Sequence, residues 1–280
     1  MRATAARGLV LAILAGTASV AAQTTAPPDI TAVRPIPAAQ SVFLEELTWL
    51  EVRDAIAGGT TTVIVPTGGI EQSGPYLAVG KHNYVNRALC AAVARRLGRT
   101  LCAPNVPFVP EGDLEPPSAH MRYPGTISVT EQTFRALLTD IAASLKAHGF
   151  QHILLVGDSG GNQPGLKAVA ADLAGRWAGT ETSIHYVPEY YDYPAAKAFA
   201  ARTFGWKEID EGLHDDAVIS ALVMTVDADA VRIRQRIAAN KASINGVPLT
   251  PVDRVRDQGK QLVDFRAAAA ADAIRRAIAK

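Results

Sequence analysis

Cysteine is nearly missing from this sequence, with two residues, Cys90 and Cys102, in a chain of 280. That count excludes a fold built on disulfides, and the lack of any C-x-x-C pair excludes thiolate clusters and dithiol redox motifs. A surplus of charge is missing too: 28 basic residues face 27 acidic ones, for a formal net charge of +1. No global field gathers nucleic acid or an anionic membrane, so the expected partner is a small molecule and not a nucleic acid. Beyond residue 20 no apolar run is long enough to span a bilayer, and no internal repeat is present.

What is present is enough apolar material, 48% of the residues, to bury the core of one large domain. Arg2 and Arg7 precede the apolar run 8–20, which closes on small residues at Val20-Ala21-Ala22. This pattern is that of a signal peptide over residues 1–22, and it predicts export to a periplasmic or secreted location with no stable membrane span after cleavage. Residues 23–41 read as an extended, Pro- and Ala-rich lead-in, and residues 42–280 as a single domain.

Thr48 and Glu51 form a capping-box pattern that opens a helix ending at Gly58-Gly59, and 61–66 (TTVIVP) reads as a buried strand. Val85, Leu89, Val93 and Leu97 share one face of a helix over 83–97, and a Pro-broken strand follows at 100–110. Thr130 caps a helix carrying Phe134, Leu137, Leu138, Ile141 and Leu145. A strand at 152–157, a helix at 164–177, a strand near 183–188, a helix at 215–226 and an Ala-rich helix from 258 complete the pattern. Strands alternating with helices of ten or more residues require crossover connections. The prediction is a three-layer α/β/α domain with a mostly parallel central sheet. Cys90 falls on a helix and Cys102 in the next strand, and both a bond between them and two separate buried thiols fit this placement.

Such sheets bind ligands at the carboxyl ends of their strands. There the sequence has TGGIEQSGPYLAVGKHN after the first strand, EGDLEPPSAHMRYPGT after the second and GDSGGNQ after the third, with EGLHDDAV before a later helix. Glu71-Gln72-Ser73-Gly74-Pro75-Tyr76-Leu77, His82 eleven positions after Glu71, Ser118-Ala119-His120-Met121-Arg122-Tyr123-Pro124-Gly125-Thr126, and Gly157-Asp158-Ser159-Gly160-Gly161-Asn162 follow one another in order. Together they resemble the creatininase (creatinine amidohydrolase) family from about residue 43 to 226. The resemblance implies a metal-dependent amidohydrolase, often hexameric, in which two divalent ions polarise an amide carbonyl and activate water.

Relative to the family pattern, the imidazole two residues after Glu71 is Ser73, the acid at position 82 is His82, and another imidazole is Ser159. Hydroxyls are poor ligands for Zn²⁺. The expected ligands of a Zn or Mn site, of one or two ions, are therefore Glu71, His82 and Asp158. His214, with Asp215, is expected to move protons, and Ser118, His120 and Ser159 are expected to contact substrate. The expected reaction is hydrolysis of a C–N bond, an amide in a small and possibly cyclic molecule, by a homo-oligomer.

Each residue also has a plainer reading. Glu71 can cap a helix, His82 satisfy a turn, and Asp158 cap the helix after Pro164. His148, His152 and His185 read as structural, Glu111, Asp113 and Glu115 as a solvated acidic turn ahead of a second metal site, and Tyr190 to Tyr193 equally as a pocket wall or a surface turn. Residues 157–161 also fit G-x-S-x-G, with His214 downstream and Asp192 between, so a serine hydrolase acting through Ser159 is an alternative. A delayed helix entry, at Pro164, argues against it. A catalytically silent periplasmic binder is a second alternative.

Overall fold

Four short runs of Val, Ile, Leu and Thr form a sheet whose strands are all parallel: β1 (Thr62–Thr67), β2 (Thr100–Cys102), β3 (His152–Gly157) and β4 (Ser183–Tyr186), in the order β2-β1-β3-β4. The computed structural model describes residues 29–279, so the expected signal peptide and the start of the lead-in lie outside the described residues. The chain divides into two units, Met1–Pro35 and Ile36–Lys280. In the first, the described residues hold a turn in which Ala32 N–H donates to Asp29 O.

In the second unit the strand residues alternate between two cores, as a sheet covered on both faces requires. Val63, Val65, Ile153 and Leu155 face one layer, packed with Phe134 and Leu138 of α3 (Glu131–Ala147) and Leu166 and Val169 of α4 (Gln163–Arg176). Val52 and Ile56 of α1 (Trp49–Ala57) lie on the same side, and the Thr48–Glu51 capping box forms as the sequence predicts. Ile64, Leu154 and Val156 face the other layer, with Leu89 and Val93 of α2 (Lys81–Leu97) and Ala267, Ala270 and Ile274 of α8 (Val252–Ile278). The architecture is α/β/α.

α5 (Tyr193–Phe204), α6 (Ala217–Met224), α7 (Ile233–Ala238) and the hairpin β5–β6 (Ser243–Ile244, Val247–Pro248) build a third core beside α2 and α8. Periodicity gave no sign of α5, α7 or the hairpin, which are short or half-exposed. α8 begins six residues before the expected start at Gln258, and Gly259 lies inside it because a Cβ there would stand 2.2 Å from the Ala221 carbonyl of α6. β2 is three residues long, since the prolines after it leave only isolated bridges. Among the described residues no helix is long and apolar enough to cross a membrane.

Cys90 and Cys102, left open between thiols and a bond, form a disulfide that ties α2 to β2. Closing a loop of 12 residues removes denatured-state entropy worth about 3 kcal/mol. Urea unfolding of Cys90→Ser/Cys102→Ser is expected to give a stability lower by about 2–3 kcal/mol with an unchanged fold by circular dichroism.

Candidate active site

The loop after β1 is pinned from three directions. Asn162, at the start of α4, donates through Nδ2 to Thr67 O, Thr67 Oγ1 and Gly68 O at 2.8–3.1 Å. Ile127 N–H donates to Ile70 O, and Glu71 N–H to Val79 O. These bonds fix Glu71, 3% exposed, at the carboxyl edge of the sheet, on the floor of a cavity of about 760 Å³.

Four cationic or imidazole groups converge on that carboxylate. His82 Nε2 lies 2.8 Å and Lys81 Nζ 3.0 Å from Oε1, both from the first turn of α2. His214 Nε2 is 3.3 Å from Oε1, and His120 Nε2 is 3.1 Å from Oε2. Burial alone would raise the Glu71 carboxyl, but hydrogen bonds from His214 and His82, with the charges of His82 and Lys81, hold it far below the ordinary carboxylate range.

His82 is held from behind. Its Nδ1 is 2.8 Å from Asp158 Oδ2, and Tyr193 Oη donates to that same oxygen at 3.0 Å. Arg266 of α8 donates to Asp158 Oδ1 at 2.8 Å, its guanidinium lying 4.5 Å from the Tyr193 ring centre. Burial disfavours an imidazolium, but the bonds to Asp158 and Glu71 outweigh it and raise His82. Burial likewise opposes an ionised Asp158, and the charge of Arg266 with the His82 bond turns the balance, lowering it.

The expected ligand set is redistributed accordingly. Asp158 is fully buried behind His82 with both oxygens taken, so it orients that ring and does not face the cavity. The groups that converge as metal donors are Glu71, His120 and His214, with ligand atoms within 4.8 Å of one another. His120, expected to touch substrate, and His214, expected to shuttle protons, therefore share Glu71. His120 Nε2 meets Oε2 of Glu71 and His214 Nε2 meets Oε1, and one carboxylate with two imidazoles is a donor set suited to Zn²⁺ or Mn²⁺.

Loops set both histidines. His120 N–H donates to Glu111 O within a single 3₁₀ turn, Ala119–Arg122. His214 adopts a left-handed backbone, φ 59°, in a loop buckled by Asn245, which accepts from Glu211 N–H and donates to Asp215 O and Glu208 Oε2. Asp215 lines the cavity with its carboxylate 3.6 Å from Arg236 and, among the described residues, no hydrogen bond to His214, so it steadies the loop. Ser118 does not line the cavity; its hydroxyl bonds the carboxylate and N–H of Asp113. Ser159 does line it, with ordinary extended backbone and no hydrogen bond to an imidazole among the described residues, so the serine-hydrolase alternative lacks its base. Tyr191 and Tyr193 form part of the cavity wall.

Three participants were missed from sequence. Glu111, read as a solvated turn, is 4% exposed, and burial followed by the neighbouring Glu71 charge pushes its carboxyl up to about 9. Lys81 carried a signal, because a cation in the first turn of a helix opposes its dipole. So did Arg266, a charge within the apolar stripe Leu262, Val263, Ala267, Ala270.

Removing Arg266 leaves a buried carboxylate without its cation, a loss of about 3–5 kcal/mol. A native carboxyl below its unfolded value lends stability that is complete above that value and fades as pH falls through the native one. Arg266→Met therefore is expected to shift the acid-unfolding midpoint, followed by circular dichroism, to higher pH.

Comparisons with known proteins bear on the family and the fold. The family model Creatininase: Creatinine amidohydrolase matches residues 45–272. Creatinine amidohydrolase of Pseudomonas putida is 25% identical over 226 residues, 78% of this chain and 84% of the relative. A mycofactocin precursor peptide peptidase of Mycolicibacterium smegmatis is 28% identical over 202 residues, 67% of this chain and 75% of the relative. A solved mutant creatininase shares the fold with a TM-score of 0.63 at 21% identity, covering 86% of this chain and 100% of that one. Further solved creatininases are of a Zn-Zn type and an Mn form. The chain belongs to the creatininase family, a family of amidohydrolases.

Proposed function

We propose that this protein is an exported metalloamidohydrolase that holds a divalent ion, Zn²⁺ or Mn²⁺, on Glu71, His120 and His214 and cleaves the amide C–N bond of a small molecule. The observation that carries the reading is the convergence of one carboxylate and two imidazoles on the floor of a cavity sized for a small ligand. When bound, the ion supplies Lewis acidity to the amide carbonyl and to the attacking water.

The chain's own groups supply the rest. Asp158 and Arg266 hold His82, and His82 with Lys81 holds Glu71, so the carboxylate keeps one orientation as charge develops near it. Glu111 lines the cavity beside Glu71, its Oε1 buried without a hydrogen-bond partner among the described residues, and burial beside Glu71 keeps its carboxyl protonated, placed to give that proton to the leaving nitrogen and to recover one from the attacking water. Ser159 and Tyr191, which also line the cavity, offer hydroxyls to the substrate. The Cys90–Cys102 bond supports an oxidising compartment, and with it the export reading. The family resemblance supports a homo-oligomer, a hexamer, and exposed apolar side chains such as Phe108, Leu114, Tyr123 and Ile127 are available to be covered in it.

Protein purified without chelator is expected to carry metal by elemental analysis and to hydrolyse members of a panel of cyclic and linear amides, with turnover lost on chelation. Glu71→Ala, His120→Ala and His214→Ala are each expected to lose both metal and turnover while folded. Labelling of Ser159 by a fluorophosphonate, with chelator-insensitive turnover, would overturn the reading.

Gly69 gives a second test. A Cβ there would stand 2.3 Å from Glu111 Oε1, the free end of a flexible side chain, so Gly69→Ala displaces that carboxyl at small cost to the fold. Gly69→Ala and Glu111→Gln are both expected to lower kcat by about 10²- to 10⁴-fold with metal content unchanged.

A further inference from the structure

Lys81 has no counterpart among the roles expected from the sequence, yet it stands at the centre of the site. The residue is 4% exposed and lines the cavity, and among the described residues its ammonium forms its one ion pair with Glu71, at 3.0 Å. An ammonium has three N–H groups, so donors remain after Glu71 is served. The oxygen it reaches, Oε1, also receives His82 Nε2 at 2.8 Å. On that side of the carboxylate a fixed positive charge already occupies the approach.

The surrounding side chains agree. Where the family resemblance leads one to expect imidazoles for a second ion, the chain has Ser73 and Ser159, both buried, and Ser73 Oγ has no hydrogen-bond partner among the described residues. Asp158, the other nearby carboxylate expected as a ligand, is committed to Arg266 and His82. Around Glu71 Oε1 stand the Lys81 ammonium, His82 Nε2 and, at 3.3 Å, His214 Nε2, with the Glu111 carboxyl lining the same cavity.

We propose that the Lys81 ammonium takes the place of a second divalent ion, so that the centre admits one ion and draws its second positive charge from the polypeptide. The inference rests on the reading of Glu71, His120 and His214 as holders of one ion. It gives Lys81 two tasks: it neutralises Glu71 at Oε1 beside that ion, and it turns its remaining N–H groups toward a substrate carbonyl in the cavity. A side-chain cation also keeps the charge in place when metal is scarce, which a dinuclear site does not do.

Stoichiometry decides the matter without reference to turnover. Full-length protein stripped with chelator is dialysed against excess Zn²⁺, desalted and measured by elemental analysis and native mass spectrometry. The same is done with Mn²⁺, adding electron paramagnetic resonance. Wild type and Lys81→Arg are expected to hold one ion per chain, and the Mn²⁺ spectrum to be that of an isolated ion. Lys81→Met and Lys81→Gln, with the cation gone, are expected to admit a second ion and show exchange coupling between the two. Two ions in wild type, or a single ion in a folded Lys81→Met and Lys81→Gln, would overturn this inference and leave the one on Glu71, His120 and His214 standing. No ion in any of the four proteins would overturn both. Should neither neutral variant fold, the wild-type count still decides.

Discussion

One carboxylate organises this molecule's chemistry. Glu71 is buried, and a buried anion is tolerated only where opposite charge and hydrogen bonds replace the lost water. Lys81, His82, His120 and His214 provide that replacement, and they come from three separate stretches of chain: the first turn of α2, the loop after β2 and the loop before α6. The parallel sheet brings them together because all its strands end on the same edge. Asn162 then locks the loops after β1 and β3 to each other, so the carboxylate and its partners share one rigid frame.

Charges around that centre are arranged in alternation. Arg266 faces Asp158, Asp158 faces His82, and His82 faces Glu71, each step between 2.8 Å contacts and each group almost wholly buried. A chain of alternating signs lets every member offset the desolvation of its neighbour, and removal of any one exposes the next. Arg236 and Asp215 repeat the device on a smaller scale under the His214 loop.

The sequence made the layers and their order legible because buried parallel strands and amphipathic helices of α2 and α3 length leave strong periodic traces. It made Glu71, His82, Asp158, His120 and His214 legible as members of one site because they lie in Gly-rich loops at one edge of the sheet. It did not make their division of labour legible. Which imidazole faces the cavity and which is turned to a buried carboxylate depends on ring orientation, set by Arg266 some hundred positions from Asp158. Glu111 and Asp113 sit two positions apart in the same acidic stretch, yet one is buried against Glu71 and the other closes a turn with Ser118. Spacing holds no record of that difference. The hairpin that supplies Asn245 is four paired residues long, too short to leave a pattern.

Arg266 lies in α8, 108 positions after Asp158, and the ring it steadies through Asp158 lies in α2. During synthesis the ribosome therefore releases every loop of the centre before the guanidinium that sets their electrostatics. A nascent chain that has reached only α6 holds Asp158 and His82 without their counter-charge, and the centre matures once α8 has packed against them.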